Sequence, residues 1–105
     1  MPYVIDTIEV DPRFVVAYLE TVELLGVPLM TDAGASLVSC ATTSLDFAES
    51  VDVQIVWAFH DHAHWNVIRK NMVLDRRWYE YAERVAALRT RGTRRFYYPV
   101  SFSPR

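Results

Sequence analysis

The sequence predicts an α+β fold: a ferredoxin-like split βαβ arrangement with an antiparallel four-stranded sheet. Three observations predict it. The elements read in the order β-α-β-β-α-α-β, which becomes the split βαβ once the last two helical stretches are taken as one broken helix. Val51 to His60 alternates Val51, Val53, Ile55, Trp57 and Phe59 with Asp52, Gln54, Val56, Ala58 and His60, the period of a strand with one apolar and one mixed face. The 105 residues suffice for one core and are too few for two, so residues 1–105 are read as a single domain.

The first strand is expected over Tyr3 to Val10, where Val4, Ile5 and Ile8 are β-branched. Asp11-Pro12 then opens a helix: the Asp carboxylate accepts from free N–H groups, and Pro suits the first helical position. Val15, Tyr18, Leu19, Val22 and Leu25 form its apolar stripe, with Gly26 expected as a left-handed stop and Pro28 as a bar to resumption. Thr31 to Ser36 reads as a polar loop, Leu37 to Thr43 as the second strand, Ser44 to Ser50 as a turn. Asp61 caps a helix from His62 to about Val73, and Asp75 a further one from about Arg76 to Arg91. Trp78, Tyr81, Ala82, Val85 and Leu88 form the buried stripe of the latter, its arginines suit the C-terminal dipole, and Gly92 ends it. The last strand is expected over Arg94 to Val100, near an edge because Pro99 cannot donate to a ladder, and the tail Ser101 to Arg105 is expected to be extended. Strands one and three are expected to be neighbours and parallel.

Composition narrows the function. Apolar residues are 51% and charged residues 23%, as in a packed domain and unlike a disordered one. Eleven Lys and Arg against thirteen Asp and Glu leave a net charge of −2, without the basic excess of a nucleic-acid-binding protein. The single cysteine, Cys40, excludes an intramolecular disulfide, and a buried, inert thiol is expected there. The opening MPYVIDTIEV lacks the charged and apolar regions of a signal peptide, and no apolar run approaches the ~20 residues of a membrane helix. A cytoplasmic protein with no membrane partner is therefore expected. Three isolated glycines make no phosphate loop, which argues against a nucleotide cofactor. Abundant Ala, Val and Arg beside a lone lysine, Lys70, suggest a GC-rich bacterial genome. Helices would cover one sheet face and leave the other open. Aromatic residues at 13% exceed what one small core requires, and an open apolar face marks an association surface. Two such sheets would close into a dimeric α/β barrel, so a homodimer is expected.

Several stretches, taken in order, resemble one family. They are Tyr3 to Pro12, the pair Tyr18-Leu19, Leu37-Val38 with Thr42-Thr43, Val53 to Phe59 around Trp57, Leu74-Asp75-Arg76-Arg77-Trp78, and Pro99 to Pro104. The chain is similar over nearly its whole length to the NIPSNAP family of the dimeric α/β-barrel superfamily. It departs from the family's usual pattern at Asp6 (often Arg), Ser39 (Gly), Cys40 (Tyr) and Arg76 (Pro), and Glu49-Ser50 offers no counterpart to an Asn before the Trp strand. The scaffold is thus kept while polar pocket residues are exchanged. The superfamily contains cofactor-free monooxygenases, polyketide cyclases, lactone isomerases and haem-degrading enzymes, so the resemblance implies fold more than reaction.

Two groups carry the candidate chemistry. All three histidines fall in His60-Asp61-His62-Ala63-His64, suited to proton transfer or metal ligation at a strand-to-helix turn, or to a solvated helix start. His60 is the preferred acid–base residue. Asp6 lies inside a strand, where Asp is depleted, and would be a general base, a residue orienting His60, or half of a buried ion pair with Arg94 or Arg95. Tyr18, Gln54, Trp57, His64 and Trp65 are the expected substrate-binding residues. Arg69-Lys70 and Arg76-Arg77 would be a solvated face or a site for a carboxylate or phosphate. The expected function is a cofactor-independent cyclase, isomerase or monooxygenase acting on a small or aromatic carbonyl compound in bacterial biosynthesis, with no metal. The alternatives are a non-catalytic small-molecule-binding or assembly dimer and, last, a metal- or haem-handling dimer.

Overall fold

The computed structural model describes residues 1–46 and 49–104. Its elements are β1 (Tyr3–Val10), a helix over Pro12–Ala33 that contains α1 (Val15–Thr21) and α2 (Val27–Ala33), β2 (Ser36–Thr42), β3 (Val51–Ala58), α3 (His62–Leu74), α4 (Arg77–Leu88) and β4 (Arg89–Tyr97). The sheet order is β2-β3-β1-β4 and every pairing is antiparallel. The expected parallel pairing of the first and third strands is wrong. β3 returns from β2 and inserts between it and β1, so the parallel relation falls between β1 and β2, which do not touch.

The first helix does not stop at Gly26. Gly26 has φ −67, in the right-handed region, and the chain continues through a π turn over Val22–Gly26 into α2. Pro28 has no N–H to give back to the preceding turn. The wide turn accommodates this loss just before the proline, with Val27 N–H donating to the Val22 carbonyl five residues back. The stop is Gly34, at φ 119, so Thr31 to Ala33 are helix rather than loop. The run is therefore longer than the sequence suggests: 22 residues, with an 18-residue stretch of mean hydropathy 1.5, long and apolar enough to cross a membrane by length and composition. In the fold it lies on the sheet, burying Val15, Tyr18, Val22, Leu29, Met30 and Ala33.

At the other end, α4 stops at Leu88 and the chain passes at once into β4, so Arg89, Arg91 and Gly92 are strand and not helix. Gly92 is a packing glycine. It faces Ile8 across the ladder, and a Cβ there would lie 2.7 Å from Ile8 Cδ1. β3 likewise ends at Ala58, short of His60. Asp75 caps α4 as expected, accepting from Arg77 N at 2.9 Å, while Arg77 Nη2 reaches Asp32 at 2.8 Å and ties α4 to the end of α2. That uses Arg77 of the basic cluster structurally. The expected turn at Ser44 to Ser50 includes Phe47 and Ala48, outside the described residues. The tail is not extended, since Ser103 N donates to the Val100 carbonyl at 2.9 Å; Arg105 lies outside the described residues.

Helices cover one sheet face, where Val4, Val10, Val51, Val53, Leu29, Ile68 and Phe59 are almost fully buried. The stripe of α4 is only half-buried: no residue of that helix is fully buried. The other face is mixed, not apolar as expected. Ile5, Thr7, Gln54, Thr93, Arg95 and Tyr97 line a shallow groove of about 190 Å³ there, and Arg91 pairs with Glu9 at 2.7 Å. Cys40 sits exposed on the edge strand β2, contrary to the expected buried thiol.

Candidate functional site

Alternation along β1 turns Val4, Asp6, Ile8 and Val10 toward the helices. Three of the four are apolar, which leaves the Asp6 carboxylate needing a partner. β4 supplies it: Arg94 stands directly opposite in the register, on the same face. Its Nε and Nη2 donate to the two carboxylate oxygens at 2.6 and 2.9 Å, a bidentate pair. Burial alone would lower the basicity of Arg94; the bond to Asp6 and the charge of its carboxylate together outweigh it and hold the guanidinium more firmly protonated than usual. The same guanidinium lies 5.2 Å over the Trp65 ring.

This pair borders a cavity of about 320 Å³ between the sheet and the helices. Trp57 from β3, Met30 from α2, Met72 from α3, and Trp78, Tyr81, Ala82 and Val85 from α4 form its apolar walls, and this is the space beneath the half-buried face of α4. Tyr18 is 2% exposed and also lines it. Among the described residues no buried side-chain oxygen or nitrogen is left without a partner, and no protein group bonds either the Tyr18 or the Tyr81 hydroxyl, so both open onto the cavity. Loss of hydration pushes both phenols up, Tyr81 to about 12 and Tyr18 further, with the charge of Asp6 adding to each. Both are therefore neutral donors at neutral pH. Gly26 sets the place of Tyr81, because a Cβ there would lie 2.8 Å from the ring carbons and the hydroxyl. A helix interior normally disfavours glycine, and this close approach is what Gly26 permits.

The histidines lie elsewhere. Asp6 is opposite Ile55, and His60 is five residues beyond, roughly 16 Å along the strand direction. His60 is exposed and contributes a backbone N–H, which donates to His64 Nδ1 at 2.8 Å. His64 N donates in turn to Asp61 Oδ1 at 2.7 Å. The arrangement is a reciprocal cap of α3 that occupies a ring nitrogen of His64. His60 as a partner of Asp6 is thus a correction: extended backbone carries it past the sheet's end. Gln54 is corrected as well, since alternation places it on the opposite face from Tyr18 and Trp57. Trp65 packs on Phe59 and Phe96 at 5.4 and 5.3 Å and supports Arg94 from behind the cavity. No group of three or more His, Cys, Asp or Glu among the described residues could hold a metal ion.

Of the seven residues expected from the sequence, Asp6, Tyr18 and Trp57 come together; His60, His64, Gln54 and Trp65 do not line the cavity. Sequence reasoning missed Arg89, took Arg94 only as a possible ion-pair partner, and counted Trp78 and Tyr81 as core or, at most, as part of an aromatic group that could line a pocket for a flat ligand. For Arg94 the signal was present: it alternates with Phe96 as Asp6 does with Val4 on the facing strand.

The NIPSNAP family model matches residues 3–104. No curated protein matches the chain. Among solved structures, it is similar to a NIPSNAP domain protein from Burkholderia xenovorans at 23% identity, covering all of both chains with a TM-score of 0.84. It is equally similar to a protein from Agrobacterium tumefaciens, at 23% identity and TM-score 0.84 over 99% of this chain and 98% of that one. More distantly it is similar to an antibiotic biosynthesis monooxygenase, at 14% identity and TM-score 0.64 over 95% and 99% of the two chains.

Proposed function

For this chain, which belongs to the NIPSNAP family, we propose that the cavity between sheet and helices binds a small ring-bearing organic molecule. The observation that carries the reading is the pair of unpartnered phenols, Tyr18 and Tyr81, opening onto an aromatic-walled cavity that also holds the Asp6–Arg94 pair. About 320 Å³ is near the lower end of small-molecule sites, which suits one or two fused rings. Trp57 and Trp78 would face the rings while the hydroxyls take up oxygen substituents. Native mass spectrometry of gently purified protein tests this. A bound organic mass is expected in the wild type and is lost in Ala82→Phe, which fills the cavity from α4. An empty wild type that also fails to shift Trp fluorescence with naphthols and naphthoates would overturn the reading.

A second, catalytic reading is favoured by one observation: a carboxylate, a guanidinium and two neutral phenols face the same space. Asp6 would accept a proton from carbon beside a carbonyl, and Arg94 would stabilise the enolate left behind. This is the cofactor-independent isomerase or cyclase chemistry, with Asp6 in place of His60. Hydrogen–deuterium exchange of a cyclic 1,3-diketone tests it: exchange should be catalysed by the wild type and His60→Ala, and lost in Asp6→Asn. A mixed open face removes the apolar ground for a homodimer; the exposed edge strands β2 and β4 are what still supports one, and the same mass spectrum reads its stoichiometry.

A further inference from the structure

The charges around the cavity do not cancel. Its charged lining residues are Asp6, Arg94 and Arg89. Asp6 and Arg94 satisfy one another through two hydrogen bonds. Arg89 has no carboxylate partner among the described residues, unlike its neighbours Arg91, on Glu9, and Arg94. Nor does its side chain run freely into solvent. A Cβ at Gly92 would lie 2.9 Å from Arg89 Nη1, so the guanidinium is folded back over the space that the glycine leaves beside Ile8. Its charge is felt by both phenols, opposing the rise of Tyr18 and of Tyr81. The cavity thus combines apolar walls, two neutral donors and one net positive charge held at its mouth.

We propose that the occupant is a singly charged anion, a ring-bearing carboxylate whose charge sits at Arg89 while its rings lie between Trp57 and Trp78. This rests on the reading of the cavity as a ligand site and adds the substrate class. A guanidinium matches a planar carboxylate with two parallel N–H donors, while the apolar walls take up the rings. A dianion or phosphate would find one free cation, with the Asp6 carboxylate nearby repelling it; a neutral ring system would leave Arg89 unpaired. Arg89 is accordingly a specificity-determining residue, and Gly92 is the position that lets it fold inward.

The test compares 2-naphthoate with its neutral isostere 2-naphthamide, by calorimetry and Trp fluorescence, on wild type, Arg89→Gln, Arg89→Lys and Ala82→Phe. The wild type should bind the carboxylate at least tenfold more tightly than the amide. Arg89→Gln should abolish that preference while leaving amide affinity within twofold, and Arg89→Lys should restore part of it. Arg89 is exposed, so the unfolded fraction of these variants should not rise, which thermal melts check. Equal binding of both compounds to the wild type, or a preference that survives Arg89→Gln, overturns the anion assignment while leaving the cavity reading standing. Binding that persists unchanged in Ala82→Phe, or no binding of either compound, overturns the cavity reading itself.

Discussion

Two polar clusters in this molecule have hydrogen bonds of nearly equal length and opposite consequences. Asp6 holds Arg94 at 2.6 and 2.9 Å, and the turn at His60–His64 holds itself at 2.8 and 2.7 Å. The first is made by side chains alone across two strands far apart in sequence, and both partners still border the cavity. The second is made largely with backbone groups of neighbouring residues, and it completes a helix terminus. Residue type does not separate the two clusters. What does is whether the partners come from the local backbone, which needs capping wherever a helix begins, or from a remote strand, which places charge where no local rule requires it.

The largest test of this contrast removes Asp6. Breaking one end of a fully buried ion pair costs roughly 3–5 kcal/mol. The Arg94 side chain is 39% exposed and can recover some hydration, so Asp6→Asn should cost about 2 kcal/mol in urea unfolding. Adding Arg94→Gln should recover about half of that, because no uncompensated cation then remains. An Asp6→Asn variant as stable as the wild type would place the pair with exposed ion pairs such as that of Arg84 with Glu80, and the contrast would fail.

The phenols offer a comparable test by pH. Tyr81 ionises near 12 in the folded chain against 10.0 for the free group, because burial disfavours the phenolate. The folded state therefore holds its proton more tightly than the unfolded state. The resulting stability is complete below about pH 10 and is lost as pH rises toward about 12, on the order of 2 kcal/mol for this one group. Urea midpoints measured across that interval should fall less steeply in Tyr81→Phe. A slope unchanged by the substitution would mean that the hydroxyl is already hydrated and the cavity far wetter than its walls suggest.

What the sequence revealed follows the same division. Local rules found β1 from its β-branched residues, β3 from alternation, the start of α3 from Asp61 and the break before α4 from Asp75. The order of elements led to the split βαβ sheet. Local rules misread glycine twice, each time because a remote side chain explains it. Gly26 makes room for Tyr81, so the helix continues, and Gly92 makes room for Ile8 and Arg89, so it is strand. The site was half visible for the same reason. Asp6 stood out as a carboxylate inside a strand, and Arg94 was named as one possible partner. The register of β1 with β4 chooses Arg94 and the antiparallel register of β1 with β3 excludes His60, and both pair residues far apart in the sequence.

The smallest expected effects lie at the histidine turn. His64→Ala removes the acceptor for His60 N–H and leaves Asp61 to cap α3 alone, which should cost about 1 kcal/mol. His60→Ala should change stability by less than about 0.5 kcal/mol, since the bond uses its backbone and its side chain is exposed. Neither should alter capture of a cavity ligand, because neither histidine lines the cavity and His60 lies roughly 16 Å from Asp6 along the sheet direction. Ligand capture measured on both variants therefore asks whether the two clusters are independent. If His60→Ala released the ligand while its urea midpoint stayed put, the imidazole would have to reach the cavity in a conformation other than this one, and the acid–base pairing of His60 with Asp6 would return as the better account. If only the His64→Ala midpoint moves, the turn is a cap, and the chemistry of this chain belongs to the strands.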